Sequence, residues 1–385
     1  SKAQEATRDY VLKAEGASGE PQLILVALDG PVERRIVAEI LRSLGFDDTP
    51  GRRFEVAAEG VRLGVADRHV RTFRKIVDLL VDTGVCARDG DGAATLVKRL
   101  PVEAADPLYA ALIERFDPAS GELRLLRRCG GSLAEALRDR VDPAALLFPD
   151  GSFEDARRLY DDAPSARTFN GTLAAALRAA VEATAADVRL RVLEIGAGTG
   201  ATSAAILKAL PPGRVDYTFT DVSPLFLQRA AERFSHVRGM RFGLLDIEQD
   251  PAGQGFAAGD YDIVLAANAI HATRDLREAV RHARSLLAPG GWLALIEGVA
   301  DEPWVELTFG LTTGWRRHED LDLRPASPLI DRHAWETLLA EEGFDDVRLA
   351  PGGTRSGRAT RQQALVLARA PQAGRRWRLV AAAGD

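Results

Sequence analysis

Cysteine is scarce in this chain, which has two cysteines in 385 residues. Cys86 and Cys129 lie far apart in the sequence, and neither belongs to a CxxC or Cys/His pattern. A disulfide framework and a zinc site are therefore not expected. The same scarcity fits a reducing compartment, so we predict a cytoplasmic location and no bound metal ion.

Long apolar runs and an excess of positive charge are also missing. No hydrophobic stretch approaches the length of a membrane span, and no signal peptide is visible. The formal net charge is −6, so the chain has no long-range attraction for nucleic acid or anionic lipid, and neither is an expected partner. Residue 1 is Ser rather than Met, which suggests a segment of a longer protein.

A chain of this length predicts two domains, and the first half reads as mainly helical. Residues 1–20 are predicted to be a linker or tail, and residues 21–185 a helical domain. One helix is predicted from apolar residues at helical spacing, namely Val70, Phe73, Val77 and Leu80. A DGDG turn between two short runs follows and predicts a hairpin. Helix and hairpin resemble a winged helix, but interleaved acids disfavour DNA binding and favour a cap or packing module.

From about Val188 onward, short apolar strands alternate with amphipathic helices. This alternation predicts an α/β fold with a parallel sheet and helices on both faces. The last two strands, DVRLA and QALVLARA, are joined by a linker too short for a helical crossover, which predicts an antiparallel pair. Ligands of such sheets bind beyond the carboxyl ends of the strands, so the site residues should directly follow strands.

The stretch VLEIGAGTGATS places Gly196, Gly198 and Gly200 between a strand and a helix. Glycine lets the backbone turn sharply and approach a ligand closely, and a helix N-terminus favours a negative group. The stretch also fits the loose dinucleotide fingerprint GxGxxA. A nucleotide cofactor and a plain tight turn both remain open on this evidence.

Two acids follow the next two strands. Asp221, in FTDVS, can accept both hydroxyls of a ribose, whether the ligand is a nicotinamide cofactor or S-adenosylmethionine (SAM). Asp246, in LLDIEQD, suits the exocyclic amine of an adenine, although it can equally be a loop carboxylate. The pair favours SAM over a nicotinamide cofactor.

The motifs LEIGAGTG, FTDVS, LDIEQD, ANAIHAT and LAPGGWLALIE together resemble the class I SAM-dependent methyltransferases. LYDDAPSARTFN, ELTFGLTTGW and IHATRD make the chain more similar to the C-methyltransferase domains of type I polyketide synthases, over roughly residues 152–370. The resemblance implies a seven-stranded Rossmann-like core at residues 186–370, with residues 21–185 as its mainly helical lid. It also implies that residues 371–385 lead toward a following domain.

The resemblance further implies SAM as the cofactor, with S-adenosylhomocysteine as its product. It assigns the methionine end to the glycine loop and Asn268, the ribose to Asp221 and the adenine to the Asp246 loop. The resemblance also implies that the LYDDAPSARTFN motif helps to close the cofactor pocket. The implied cofactor-binding residues are Glu194, Gly196, Ala197, Gly198, Asp221, Val222, Asp246, Ile247, Asn268, Tyr160 and Asn170.

His271 and Glu297 are the predicted catalytic residues. Methylation of the α-carbon of a β-ketoacyl thioester needs a base near the methyl group, and an imidazole can take a proton near neutral pH. Glu297 ends the neighbouring strand, LALIE, and can hold the imidazole in one tautomer. The resemblance implies the same His–Glu pair. His271 as a helix-start residue and Glu297 as a solvated acid remain the alternatives.

The irregular stretch after Glu297, from Asp301 to Pro328, is called the insert below, and it is predicted to shape the acyl pocket. Phe309 and Trp315 either line that pocket or pack in a core, and Arg316 stands where the family commonly has a second Trp. The implied partners are neighbouring polyketide synthase domains and an acyl carrier protein that presents the substrate on a phosphopantetheine arm. Two arginine clusters are candidate docking surfaces for the acidic carrier: Arg124, Arg127 and Arg128, and Arg316 with Arg317.

Three rival functions stay open at this point. An O-methyltransferase would use the same cofactor and the same base. A methyltransferase fold retained only as a non-catalytic part of a megasynthase is disfavoured by the intact glycine loop, Asp221, His271 and Glu297, and SAM titration would decide it. A nicotinamide dehydrogenase would leave Asp246 and the closing antiparallel strands unexplained.

Overall fold

The structure is a computed structural model. It describes residues 33–90, 92–110, 121–149, 158–350 and 362–372. The predicted linker at residues 1–20 lies outside the described residues, as do residues 373–385 and Asp91 of the predicted hairpin turn.

The N-terminal part is built from short helices around a small sheet. Its elements in chain order are α1 (Glu33–Ser43), β1 (Arg53–Phe54), α2 (Val56–Arg62), α3 (Val70–Asp82), β2 (Cys86–Arg88), β3 (Ala94–Leu96), α4 (Gly121–Leu137) and α5 (Pro143–Leu147). Helix α3 buries Phe73, Ile76, Val77 and Leu80, which share one face at helical spacing. Strands β2 and β3 pair antiparallel, so the helix and hairpin expected here are present.

This N-terminal part has its own hydrophobic core. The cluster runs from Ile36 on α1 to Leu159, and it also takes in Leu307 and Leu311 from the insert near the end of the chain. The Thr72 hydroxyl donates a hydrogen bond to the Gly310 carbonyl at 2.9 Å, which fixes the insert against α3. The insert therefore belongs by packing to the N-terminal core, although its ends emerge from the sheet.

The second part is a seven-stranded sheet within the described residues, and the predicted fold class is confirmed. Its elements are β4 (Leu190–Ile195), α7 (Ala201–Ala209), β5 (Val215–Asp221), α8 (Pro224–Arg233), β6 (Met240–Leu244), β7 (Tyr261–Ala267), α9 (Leu276–Leu286), β8 (Leu287–Gly298), α10 (Pro303–Glu306), α11 (Arg332–Glu341), β9 (Asp345–Ala350) and β10 (Gln363–Arg369). The strand order is β6-β5-β4-β7-β8-β10-β9. Strands β4 to β8 pair parallel, whereas β10 is antiparallel to both β8 and β9. The antiparallel pairing of β9 with β10 was predicted from the sequence.

Both faces of the sheet are covered, which explains its nearly continuous apolar strands. On β7, Val264 and Ala266 join a cluster with α9 and α11. Their neighbours Ile263 and Leu265 join a second cluster with helix α6 (Pro164–Glu182) and with Ile206 of α7. Alternate residues of one strand thus fill two separate cores.

Helix α6 packs with the sheet rather than with the N-terminal core. Phe169, Leu173 and Leu177 lie in the same cluster as Val192 of β4 and Tyr217 of β5. The predicted boundary between lid and catalytic domain at residue 185 stays a prediction. Packing favours a boundary before α6, near Pro164.

Replacement of Leu173 by Ala tests this packing. Leu173 is fully buried, so the truncation should lower the free energy of unfolding by about 2–5 kcal/mol through lost contacts and a cavity. Arg178→Ala on the exposed side of α6 is the control, and we expect a change of less than about 0.5 kcal/mol. The free energies are measured by urea unfolding. Equally small losses of unfolding free energy in both variants would contradict the packing of α6 against the sheet.

Candidate active site

A cavity of about 440 Å³ lies at the carboxyl ends of the parallel strands. Its floor comes from the ends of β4, β5, β7 and β8, and its roof from the N-terminal part, α6 and the insert. Site residues therefore follow strands, as expected. Of the predicted site residues, those that line the cavity are Tyr160, Asn170, Glu194, Gly196, Ala197, Gly198, Asp221, Asn268, His271, Phe309 and Trp315.

The glycine loop between β4 and α7 needs glycine for its backbone and for its close contacts. Gly196 has φ 60°, and a Cβ there would meet the Ala269 Cβ at 2.7 Å. Gly200 has φ 77°, and a Cβ there would meet the Phe234 ring at 2.8 Å. Side chains strain in this left-handed region, so the loop can lie this close to its neighbours only with glycine.

Asp221 ends β5 beside the glycine loop. Its Oδ2 accepts a hydrogen bond from the Gly198 N–H at 2.9 Å, and its Oδ1 accepts one from the Ser223 N–H at 2.8 Å. Burial raises the pKa of this carboxyl, and the two backbone donors act in the opposite direction. The carboxyl is thus held rigidly where it faces the cavity.

Glu194 lies almost fully buried under the glycine loop. The Tyr217 hydroxyl donates to its Oε2 at 2.6 Å, and the Ser203 hydroxyl donates to the same oxygen. Burial raises the pKa of Glu194 to about 7. Ser203 and Tyr217 were not singled out from the sequence, because no local pattern marks them as partners of Glu194.

The two lid-side residues join helix α6 to its surroundings. The Asn170 Oδ1 accepts a hydrogen bond from the Thr202 hydroxyl of α7 at 2.8 Å, and its Nδ2 donates to the Tyr160 carbonyl at 3.2 Å. Burial raises the pKa of Tyr160 to about 12, so this phenol stays neutral. Both residues close the cavity on the side of the glycine loop.

Asn268 directly follows β7 in the left-handed region, with φ 51°. Its backbone N–H donates to the Ile296 carbonyl at 2.7 Å, and its Oδ1 accepts from the Gln363 Nε2 at 3.3 Å. Asparagine tolerates this backbone conformation better than most residues. Asn268 lines the cavity, and its side chain contacts Gln363 of β10.

Three predicted cofactor residues do not line this cavity. Val222 is 64% exposed just past Asp221. Asp246 and Ile247 follow β6, whose end Leu244 lies opposite Asp221 in the parallel register. The Leu245 N–H donates to the Asp221 carbonyl at 3.2 Å, so Asp246 lies one residue beyond that contact. Ile247 is buried and packs in the same core cluster as β7 and α9.

His271 and Glu297 are in direct contact at the end of the sheet. His271 lies in a one-turn helix, Ile270–Ala272, after β7, and its Nδ1 lies 2.5 Å from the Glu297 Oε2. The Glu297 Oε1 accepts a hydrogen bond from the Ile270 N–H at 2.9 Å. Glu297 is fully buried, whereas His271 lines the cavity. One carboxyl oxygen of Glu297 thus binds the backbone of the loop after β7, and the other binds the imidazole ring of His271.

Arg324 fixes the loop that carries His271, and it was missed from the sequence. Its guanidinium is fully buried, pairs with Asp320 at 2.6 Å, and donates to the His271 carbonyl at 2.8 Å. It also donates to the carbonyls of Thr273 and Arg274. Lone arginines in irregular stretches carry no sequence signal, and only the fold brings this one under the loop.

The insert contributes aromatic walls. The Trp315 ring lies edge-on to the His271 ring, with centroids 5.4 Å apart. Phe309 packs against Trp304, with centroids 6.4 Å apart, and both line the cavity. Arg316, which replaces the expected second Trp, forms a buried ion pair with Glu306.

The structure contradicts one of the two predicted arginine docking surfaces and leaves the other untested. The pair Arg316 with Arg317 is wrong as a docking surface, because the Arg316 side chain is only 7% exposed and is held by Glu306. In the other cluster, Arg127 pairs with Asp106 at 2.7 Å, and the Arg128 Nε donates to the Leu146 carbonyl. Docking at that cluster stays a prediction.

No group of three or more His, Cys, Asp or Glu side chains among the described residues is arranged to hold a metal ion. No helix among them is both long and apolar enough to cross a bilayer.

Replacement of Arg324 by Met tests its bracing role. The variant leaves Asp320 buried without its cation and frees three loop carbonyls, so it should cost about 3–5 kcal/mol of unfolding free energy. Arg277→Met is the control, since Arg277 pairs with the exposed Asp322, and it should cost at most about 1 kcal/mol. Urea unfolding of the two variants gives the comparison, and an unchanged midpoint for Arg324→Met would contradict the bracing role.

Comparison with known proteins identifies one family. A family described as a methyltransferase domain matches residues 193–293. Polyketide synthase ThaG from Burkholderia thailandensis is 36% identical over 331 residues, which cover 83% of this chain. The chain spans about 6% of the length of that relative.

Solved structures give the same result. The CurJ carbon methyltransferase superposes with a TM-score of 0.90 at 33% identity, covering 96% of this chain and 98% of that one. The DszA carbon methyltransferase gives 0.84 at 28% identity, covering 96% and 97%. The likeness thus extends over the N-terminal part as well as the sheet. The chain belongs to the carbon methyltransferase domains of polyketide synthases, which are class I methyltransferases that use SAM.

Proposed function

We propose that this domain methylates the α-carbon of a β-ketoacyl thioester presented on the phosphopantetheine arm of an acyl carrier protein. His271 is the general base, and Glu297 orients it. The observation that carries this proposal is the 2.5 Å contact between the His271 Nδ1 and the Glu297 Oε2 at the cavity wall.

The geometry of the pair sets the direction of proton transfer. When Nδ1 carries a hydrogen and donates it to Glu297, the lone pair of His271 lies on Nε2. His271 makes no other side-chain hydrogen bond among the described residues, so Nε2 is free to accept a proton. The buried carboxylate then stabilises the imidazolium that forms. Removal of an α-hydrogen leaves a carbon nucleophile.

The cavity residues fit a bound SAM. When bound, SAM supplies an electrophilic methyl group on sulfur. Asp221 is positioned to accept the ribose hydroxyls, because its carboxyl is fixed by two backbone donors and faces the cavity. The glycine loop allows close approach of the methionine end, and Asn268, Tyr160 and Asn170 close the pocket around it. Val222, Asp246 and Ile247 would hold the adenine.

The substrate assignment rests on the family and on the walls of the cavity. The aromatic and aliphatic side chains of Trp304, Phe309, Trp315 and Leu329 give the insert side of the cavity an apolar lining suited to an acyl chain. The relative ThaG is a polyketide synthase, a kind of protein in which neighbouring domains and a carrier protein would be the partners. The unpaired cysteines Cys86 and Cys129 agree with a cytoplasmic location.

Replacement of His271 by Ala tests the general base. We expect the rate of methyl transfer to fall about 10²–10⁴-fold, while SAM binding stays unchanged. The rate is measured by mass spectrometry with SAM and a short β-ketoacyl thioester, and fragmentation shows whether the methyl is on carbon or oxygen. His333→Ala is the control, because that side chain is 89% exposed. Near-normal turnover of His271→Ala would rule out the role, and a methyl on oxygen would make the domain an O-methyltransferase.

Replacement of Asp221 by Ala tests cofactor binding separately. Loss of charge-assisted hydrogen bonds to the ribose should weaken SAM binding roughly 10–100-fold, as about 1.5–3 kcal/mol. Calorimetric titration with SAM measures it, with Asp216→Ala on the same strand as the control. Unchanged SAM affinity in Asp221→Ala would refute the ribose assignment, and no SAM binding by the unmodified chain would favour a purely structural role for the domain.

A further inference from the structure

Glu302 is a cavity residue that the proposed mechanism does not use. It follows β8 and lies beside the aromatic insert, where it lines the same cavity as His271. Its Oε2 is buried and has no hydrogen-bond partner among the described residues. A buried polar atom without a partner is costly, and the side chain that carries this one lines a ligand cavity, so Glu302 is a candidate partner for a ligand group there.

The position of Glu302 in the sheet order puts it on the substrate side. The glycine loop and Asp221 follow β4 and β5, His271 follows β7, and Glu302 follows β8. The segments after these strands thus run from the cofactor residues through the base toward Glu302, which lies four residues past the end of β8. Its neighbours in the cavity wall, Trp304 and Val305, belong to the apolar part.

Among the described residues, no cation pairs with Glu302. Asp301, next in the chain, raises its pKa, and the nearby Lys75 of α3 is taken by Asp301 at 2.8 Å. Arg316 is taken by Glu306. The other ionisable groups that line the cavity are Tyr160, Glu122, Glu194, Asp221 and His271, and none of them pairs with Glu302. The Gln362 side chain is its hydrogen-bonding neighbour and is neutral.

These surroundings favour the uncharged acid. Burial is the largest cause, and it raises the pKa of Glu302 to about 8, against a smaller opposing effect of the Gln362 hydrogen bond. At neutral pH the carboxyl therefore carries its proton and can donate it in a hydrogen bond. Above about pH 8 it becomes an anion and can only accept.

We infer that Glu302 is a second catalytic residue, a neutral carboxylic acid that donates a hydrogen bond to the carbonyl oxygen on which enolate charge develops. This inference rests on the proposed function. His271 removes the α-proton, and the electron pair of the broken C–H bond spreads onto the carbonyl oxygen. The Glu302 O–H donates to that oxygen and keeps its proton. A hydrogen-bond donor placed where charge develops lowers the barrier to enolate formation.

Two substitutions separate a donor from a structural side chain. Glu302→Ala removes the donor, and kcat/KM for methylation of a short β-ketoacyl N-acetylcysteamine thioester should fall about 10²–10³-fold. Glu302→Gln keeps a neutral N–H donor, and it should retain activity within roughly tenfold, because one donor replaces another. Both should bind SAM like the unmodified chain. Glu341→Gln, the same change on an exposed surface, is the control.

The pH profile gives a readout that a structural role would not move. In the unmodified chain the donor is present below about pH 8 and is lost as the pH rises through that value, so kcat/KM should fall there. Glu302→Gln cannot ionise, so its rate relative to the unmodified chain should rise across pH 7–9. A constant ratio across that range would contradict the inference.

The outcomes distinguish the inference from the proposed function. Turnover of Glu302→Ala within threefold of the unmodified chain, or equal losses in Glu302→Ala and Glu302→Gln with intact thermal stability, overturns the inference alone. Failure of the unmodified chain to methylate any β-ketoacyl thioester overturns both. Methylation by the unmodified chain, a large loss in the Ala variant and rescue by Gln supports both.

Discussion

The contact between the His271 Nδ1 and the Glu297 Oε2 is the interaction on which the rest of the site depends. A carboxyl with no exposed surface must be satisfied by its neighbours, and Glu297 is satisfied by the His271 ring and by the Ile270 N–H. The same two contacts that make Glu297 tolerable inside the protein also fix the loop after β7. The geometry that satisfies the buried Glu297 is thus the same geometry that the proposed base requires.

The surrounding fold supports this contact from two sides. Parallel strands β7 and β8 bring the two residues to one edge of the sheet, because both strands end there. From below, Arg324 holds the carbonyl of His271, and from above, the Trp315 ring meets the imidazole edge-on. The insert that carries Trp315 is itself held by the N-terminal core through Thr72. The N-terminal part and the proposed base His271 are thus parts of one packed arrangement.

The sequence predicts those features that local patterns encode. Strand and helix alternation predicts the sheet, and the short linker between the last two strands predicts their antiparallel pairing. The positions of Gly196, Asp221, His271 and Glu297 at or just after strand ends predict that these residues lie close together. Features that depend on the path of irregular segments were not predictable. Arg324 lies in such a segment and reaches back some fifty residues to the His271 loop. Helix α6 has an apolar face that fits either core, so only the structure assigns it to the sheet. Arg316 was expected on the surface because the sequence does not show which residue it pairs with. The fold of the insert brings it to Glu306, and the pair is buried.

Exchange of the α-hydrogen tests the central claim most directly, because it reports proton removal without methyl transfer. A β-ketoacyl thioester is incubated in D₂O with the domain and no SAM, and deuterium uptake above the spontaneous rate is followed by mass spectrometry. The account predicts that the unmodified chain accelerates uptake and that His271→Ala does not. Equal acceleration by both would contradict the assignment of His271 as the base.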